Sequence, residues 1–276
     1  MFNLFSSWFE KLKRISGGLG VFHSFAFLFI FLPLLIIVYF AFDTSESTFI
    51  QNSEFINKGT SLSIFRSLFI AIVTVIFTFL LGYPFSYFVA SIDSEKSKAF
   101  LMIFISSPLW SSFFVKLLGL RSFFDLLNGS PNSTYGIIYT IIGLIYVNLP
   151  IAILSFYNVV NNIPKNLINA AQDLGSSHFE TFLKVILPYT REALVAVFFL
   201  VFIPSFTAIT VSEFMNNESG SKMVGELLNN FVIVDNNSNI AKSRASFFTL
   251  FLATVMFLIY FLVKTLSKAF SKHKND

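Results

Sequence analysis

Six long apolar stretches, separated by more polar segments, dominate the pattern of hydrophobic and polar positions. They occupy residues 21–42, about 67–90, 99 to about 115, 135–160, 194 to about 212 and 245–263. A helix that crosses the hydrocarbon core of a bilayer needs about 20 mostly apolar residues. The pattern therefore predicts an all-α membrane protein with six transmembrane helices. The first stretch is longer than the roughly 7–15 apolar residues of a signal peptide, so we expect a retained helix.

The composition supports a membrane location. Hydrophobic residues make up 55% of the 276 residues and charged residues only 12%, whereas soluble domains carry about 25% charged residues. The chain has no cysteine, which excludes disulfides and thiolate metal sites. Its three histidines show no paired ligand spacing. We therefore expect neither a metal site nor a catalytic cluster in this chain.

The lysines and arginines indicate the orientation of the helices. If the N-terminus is cytoplasmic, twelve of the 19 basic residues fall in cytoplasmic segments, which agrees with the enrichment of these residues on that side. We therefore expect a cell-membrane protein with both termini in the cytoplasm. The predicted organisation is a cytoplasmic segment over 1–20, a transmembrane domain over 21–265 and a cytoplasmic tail over 266–276. The longest cytoplasmic loop is predicted over 161–192.

This loop begins with the signals of a short helix. Pro164 suits a first helical position, where its missing N–H leaves no bond unmade. Ala170 and Ala171 give the helix a face of little bulk, which another surface can approach closely. Gly175 suits a sharp exit from the helix, where the backbone often needs a positive φ.

A second helix is predicted directly afterwards. Ser177 and Glu180 have the three-residue spacing of a capping box, and we expect Pro188 to break or restart the chain before the fifth apolar stretch. From this pattern alone, an ordinary amphipathic loop lying on the membrane is an open alternative. The apolar positions that recur at helical spacing are Phe179, Phe182, Leu183 and Ile186.

The spacing of the small residues in this loop is specific. Asn169-Ala170-Ala171 is followed three residues later by Gly175, and nine residues separate that glycine from Val185-Ile186-Leu187-Pro188. This arrangement resembles the E-A-A…G…I-x-L-P motif of binding-protein-dependent ABC importer permeases, with Asn169 in place of glutamate and Val185 in place of isoleucine. The resemblance implies a set of ATPase-coupling residues, namely Asn169, Ala170, Ala171, Asp173, Gly175, Leu187 and Pro188.

Further segments are similar to the spermidine/putrescine permeases of this family. They are Leu81-Gly82-Tyr83-Pro84-Phe85-Ser86-Tyr87-Phe88, Pro108-Leu109-Trp110-Ser111-Ser112, Ala170-Ala171-Gln172-Asp173-Leu174-Gly175-Ser176-Ser177 and Val211-Ser212-Glu213-Phe214-Met215. The resemblance implies a type I, MetI-like permease fold with its core over about 63–265. It also implies three partners in the bilayer or at its two faces: a cytoplasmic ABC ATPase dimer, a related second permease subunit and an extracytoplasmic substrate-binding protein.

The chain lacks an ATPase site in its sequence. A phosphate-binding P-loop requires lysine directly after its second glycine. Gly220 and Gly225 have the glycine spacing, but Glu226 stands where the lysine is needed. We therefore expect no enzymatic activity and no cofactor on this chain, with ATP and Mg²⁺ bound by the partner ATPase.

Polar and aromatic residues near the apolar stretches are candidates for a substrate pathway. A carboxylate at the edge of a membrane is costly and often functional, which favours Glu213. Aromatic faces attract cations, and Trp110, Tyr83 and Tyr87 offer such faces. Thr210 is a further candidate for lining the path. Glu213 as an ordinary helix-end residue and Trp110 as an interfacial anchor are the structural alternatives.

Two other functions are open at this point. The chain is an ABC permease for a different small solute, such as sulfate or ferric iron, or it is a secondary transporter that works alone. A secondary transporter predicts ion-coupling carboxylates deep in the spans and no docking loop. The sequence shows the opposite pattern on both counts, which favours the ABC permease.

Overall fold

The structure is a computed structural model that describes residues 17–42, 58–127, 135–216, 222–234 and 239–272. These ranges are built of helices, which confirms the predicted all-α fold. The helices are α1 (Gly17–Ala41), α2 (Lys58–Ala90), α3 (Glu95–Trp110), α4 (Phe113–Leu126), α5 (Gly136–Asn161), α6 (Lys165–Asp173), α7 (His178–Phe206), α8 (Thr210–Met215), α9 (Val224–Val234) and α10 (Asn239–Lys272).

Several of these helices are long and apolar enough to cross a membrane. Four qualify by themselves, with spans over Gly59–Ala90, Gly136–Asn161, His178–Phe206 and Lys242–Thr265. The bent pair α3 and α4 adds a fifth if it is one broken span, and α1 contributes the shorter apolar segment Phe25–Ala41. The chain is thus a multi-pass membrane protein, while the count of six spans stays a prediction.

The third apolar stretch is broken, so the prediction of one helix to about residue 115 is wrong. α3 ends at Trp110, α4 begins at Phe113, and the two helices meet at a bend of 93°. Ser111 has extended backbone at the break, and its hydroxyl donates to the Pro108 carbonyl over 3.0 Å. This bond satisfies one of the carbonyls that a helix end leaves open. The break falls on Ser111-Ser112, just after Pro108, but the apolar residues that continue on both sides make the stretch look like one helix.

The contacts divide the chain into two compact units. One comprises Met1–Phe55 and Phe231–Thr254, in which α1 and the first part of α10 are described. The other comprises Ile56–Asn230 and Val255–Asp276 and contains α2 to α8. The candidate site lies entirely in this second unit.

Within the second unit, the most extensive helix pair is α2 against α5. A Cβ added to Gly82 of α2 would come within 3.3 Å of the Phe156 ring of α5. The Ser86 hydroxyl lies 2.7 Å from the Gly82 carbonyl and 3.0 Å from the Ile153 carbonyl of α5. Small residues let membrane helices approach closely where no water drives them together. The small side chains that α2 buries completely are Ser67, Ala71, Thr74, Thr78 and Ser86.

Candidate coupling loop and substrate pathway

The loop helix predicted from the small residues is α6. Pro164 lies at its N-cap position, one residue earlier than predicted for a first helical residue, and none of the residues of α6 is buried. Asn169, Ala170 and Asp173 are exposed, and Ala171 is half-buried. This helix therefore presents nearly its whole surface, including the small-residue face, to its surroundings.

Gly175 ends this loop helix in the predicted way, with a φ of +85°. Its N–H donates to the Gln172 carbonyl over 2.8 Å, and the Ser176 N–H donates to the Ala171 carbonyl over 3.1 Å. Such bonds close the C-terminal end of a helix when the following residue is left-handed. A Cβ on Gly175 would meet no atom of this chain within 4 Å. A side chain would have room at this position. Glycine is therefore favoured here because of the positive φ and not because of a lack of space.

The predicted capping box begins the next helix. The Glu180 N–H donates to the Ser177 hydroxyl oxygen over 3.2 Å, and the Ser177 N–H donates to the Glu180 carboxylate over 3.2 Å. These reciprocal bonds satisfy two of the N–H groups that a helix start leaves open. The prediction of a second helix beginning here is confirmed.

At Pro188 the predicted break or restart takes a different form: the helix does not end, but its α-helical pattern is interrupted by a π turn and resumes at Leu187, with Pro188 in the first turn. α7 runs continuously from His178 to Phe206. Residues Phe182–Ile186 form one π turn, in which the Leu187 N–H donates to the Phe182 carbonyl. A proline lacks an N–H and clashes with the carbonyl four residues before it, and the wider π turn just before Pro188 is where the helix accommodates both. The structure thus separates Leu187 and Pro188, inside α7, from the other coupling residues on the exposed loop.

An aromatic cluster connects the start of α7 to the end of α2. The Phe182 ring centroid lies 5.1 Å from that of Tyr83 and 5.4 Å from that of Tyr87. The Tyr83 hydroxyl oxygen lies 2.5 Å from the Thr190 hydroxyl oxygen. Tyr83 is only 4% exposed, so its ring packs against the helices of this chain instead of offering an open face to a substrate. The sequence analysis missed this cluster, whose one signal is the four-residue spacing of the tyrosines.

The candidate pathway residues occupy two places. Thr210 and Glu213 lie on α8, one turn apart, with Thr210 half-buried and Glu213 exposed. Trp110 lies at the bend between α3 and α4 and is 74% exposed. No hydrogen bond or ring contact among the described residues joins Trp110 to Thr210 or Glu213.

A second carboxylate close to Glu213 was missed by the sequence analysis, which used Glu226 only to exclude a P-loop. Glu226 is 7% exposed in the first turn of α9, a helix outside the spanning segments, and its Oε1 lies 3.5 Å from the backbone nitrogen of Met223. Burial is the main cause that raises the pKa of Glu226, and the charge of Glu213 raises it further. The sequence offers no signal for this burial, which depends on distant residues.

The packing around α8 and α9 leaves little free space. A Cβ added to Gly225 would meet the backbone carbonyl oxygens of Thr207 and Ala208. The Val224 N–H donates to the buried Ser67 hydroxyl of α2 over 2.8 Å. Among the described residues, no group of three or more His, Cys, Asp or Glu side chains is placed to hold a metal ion.

Comparison with known families defines the class of this protein. Residues 82–275 match the model of the binding-protein-dependent transport system inner membrane component, and the chain belongs to this family. It is therefore a permease component of an ABC importer, a transport subunit and not an enzyme. Members of this family work with a separate ATPase and a substrate-binding protein.

The similar proteins point to one branch of the family. The chain is 35% identical over 205 residues to the spermidine/putrescine transport system permease protein PotB homolog of Mycoplasma genitalium, covering 71% of each chain. It is 30% identical over 209 residues to the spermidine/putrescine transport system permease protein PotB of Escherichia coli K12, covering 68% of this chain and 76% of that one. Its fold is similar to that of a bacterial ABC transporter involved in the import of the acidic polysaccharide alginate. That match has a TM-score of 0.71 at 13% identity and covers 95% of this chain and 99% of the other.

Proposed function

We propose that this chain forms part of the translocation path of an importer for spermidine and putrescine, and that α6 couples the path to a separate ATPase. The observation that carries the coupling is the surface of α6, which buries none of its residues within the chain. Leu174, at its end, is 88% exposed. A single exposed leucine is common on protein surfaces, so the proposal rests on the exposure of the whole helix α6 together with Leu174.

The partner at this surface is a cytoplasmic ATPase dimer, which binds the ATP and Mg²⁺. Asn169 and Asp173 are exposed around the small Ala170, so a groove of the ATPase can approach the α6 backbone closely. In this proposal the loop lies on the cytoplasmic side, and with six spans both chain termini lie there as well. A second permease chain, PotC-like, completes the path across the membrane, and an extracytoplasmic binding protein delivers the substrate.

The chemistry of the opposite end suits a flexible polycation. Glu213 is exposed on α8, and the buried Glu226 lies close enough to it for the two charges to interact. Carboxylates near a membrane favour bound amines. Trp110 presents an open aromatic face, which attracts a cation by roughly 0.5–2 kcal/mol. With Thr210 beside Glu213, these residues form the proposed substrate pathway.

The test is ATP-dependent uptake by the complete complex reconstituted into lipid vesicles. We expect labelled spermidine to accumulate only with ATP and the ATPase present, and unlabelled putrescine to compete with it. Glu213→Gln is expected to lower uptake about tenfold, since one ionic contact to a substrate amine contributes about 1.5–3 kcal/mol. Competition by sulfate or ferric iron, without competition by putrescine, would contradict the polyamine assignment.

A further inference from the structure

We propose that Phe182, Tyr83, Tyr87 and Thr190, here called the Phe182 cluster, force α2 to follow the movement of the coupling loop. The inference rests on the proposed coupling function and names the residues of this chain that transmit the movement. It makes them positioning residues, which act on the path through α2 and do not touch the substrate.

The first step of the transmission runs from α6 into the start of α7. α6 packs against the first turn of α7 and against the π turn that follows. The Gln172 side-chain nitrogen lies 3.2 Å from Nδ1 of His178, the first residue of α7. α6 is also joined to α5 by residues 162–164, but its packing contacts are with this short stretch of α7, through which a push on α6 passes into α7.

The second step is the ring contact from α7 to α2. Phe182 is the first residue of the π turn, and its ring lies against both Tyr83 and Tyr87, which are one helical turn apart on α2. Tyr83 also packs edge-on against Phe156 of α5, with ring centroids 5.3 Å apart. The buried Tyr83 ring is therefore held from two sides and cannot yield without α2 moving.

Hydrogen bonds tie the other end of the π turn to the same tyrosine. The Thr190 hydroxyl donates to the carbonyl of Ile186, the last residue of the π turn, over 2.9 Å. Since a hydroxyl has one proton, the Tyr83 hydroxyl is the donor in the 2.5 Å bond to Thr190. Tyr83 of α2 is thus connected to both the first and the last residue of the π turn.

These connections matter because a π turn is a weak place in a helix. Such turns are rare, and they occur frequently at functional sites. A push on the loop would bend α7 at residues 182–186 and be lost there if nothing spanned the turn. The Phe182 cluster spans it, so that bending at the turn requires breaking the ring contacts and the bond between Tyr83 and Thr190.

α2 then carries the movement to the opposite end of the unit. Sixteen residues, about 24 Å of helix, separate Tyr83 from Ser67. The Ser67 hydroxyl accepts the N–H of Val224 at the start of α9, two residues before Glu226. A displacement of Tyr83 therefore reaches the segment that carries the buried carboxylate of the proposed pathway.

The first experiment measures spermidine imported per ATP hydrolysed by the reconstituted complex. Phe182→Ala is expected to lower this ratio at least about fivefold, the lower end of typical coupling between sites, with ATP hydrolysis retained. Phe182→Tyr keeps a ring and is expected to restore the ratio. The matched control is Phe88→Ala, which removes an exposed ring one residue from Tyr87. An unchanged ratio in Phe182→Ala, or a loss equal to that of Phe88→Ala, would overturn the inference.

A double-mutant cycle tests the hydrogen bond separately. Tyr83→Phe and Thr190→Val each remove one partner of the bond with little change of shape. We expect each to lower the coupling ratio and the double variant to be no worse than the worse single variant, because both remove the same interaction. Losses that multiply in the double variant would show that the two residues act independently and contradict the link.

A spectroscopic readout that needs no substrate separates this inference from the proposed function. The chain has no cysteine of its own, so Phe65→Cys on α2 and Leu126→Cys on α4, both exposed, are its only labelled positions when it is spin-labelled before assembly. We expect the distance between the labels to change when a non-hydrolysable ATP analogue binds the complex, and to stay constant in Phe182→Ala. No change in the parent complex would contradict the proposed coupling itself. The same change of the label distance in the parent complex and in Phe182→Ala would overturn only the role of the Phe182 cluster.

Discussion

The two ends of the second unit are built in different ways. At the coupling end, the contacts that shape the loop join residues close in sequence, as in the bonds between Ser177 and Glu180. At the α8–α9 end, the bonds join residues far apart, such as Arg121 with the Phe214 carbonyl over 3.0 Å and Val224 with Ser67 over 2.8 Å. One end exposes a helix that packs on little of the chain, and the other buries polar residues such as Ser67, Ser212 and Glu226.

This difference follows from what each end has to do. A surface that binds a separate ATPase must present its residues outward, and it needs only a fixed local shape. A pathway that admits one solute and excludes others must be enclosed by neighbouring helices. We therefore expect substitutions at the coupling end to lower the coupling of ATP hydrolysis to transport, with little effect on folding. Substitutions at the α8–α9 end should affect folding first.

Gly225→Val should disrupt the packing at the α8–α9 end and have the largest effect on stability. The added side chain would meet the Thr207 and Ala208 carbonyls, and overpacking of this kind costs about 1–3 kcal/mol or more. We expect a lower thermal midpoint and less assembled complex, measured by unfolding of the purified protein in detergent. Gly119→Val is the matched control, because a Cβ there meets nothing within 4 Å. An equal fall of the thermal midpoint in Gly225→Val and Gly119→Val would contradict the described packing around Gly225.

Gly175→Val, at the coupling end, should lower transport more than it lowers thermal stability. A branched residue held at a φ of +85° costs about 1–2 kcal/mol, which shifts α6 out of place. We expect spermidine uptake to fall about tenfold, equivalent to 1.4 kcal/mol, with a smaller fall in the thermal midpoint than in Gly225→Val. Gly175→Asn should keep more activity than Gly175→Val, since asparagine tolerates this conformation. Equal activity in the two variants would mean that the conformation of this residue does not matter.

Glu226→Gln should have the smallest effect and depend on pH. The raised pKa means that the folded protein favours the protonated carboxyl, so its destabilising charge develops as pH rises above the ordinary 4.5. The glutamine variant should therefore have a slightly higher thermal midpoint than the parent at neutral pH, and the difference should vanish below about pH 4.5. A difference that does not change with pH would contradict the burial of an ionisable group at this position.

The same contrast explains which features the sequence predicts. The positive φ of Gly175 and the capping box of Ser177 follow from local residue chemistry, and both are confirmed. The bend after Trp110 and the π turn before Pro188 were not predicted in these forms. Ser111-Ser112 and Pro188 mark the two places in the sequence, but neither a bend angle nor a π turn follows from hydrophobic periodicity. Contacts such as Phe182 with Tyr83, and the burial of Glu226, depend on how distant helices meet, which hydrophobic periodicity does not specify.

The most direct test of the central claim is photo-crosslinking from α6 in the assembled, transporting complex. A photoreactive residue at Leu174, which is 88% exposed, should capture the ATPase subunit. The same residue at Leu126, which is 84% exposed at the end of α4, should capture none. Capture of the ATPase from Leu126 instead, or no capture from Leu174 while transport proceeds, would show that the exposed loop is not where the ATPase acts.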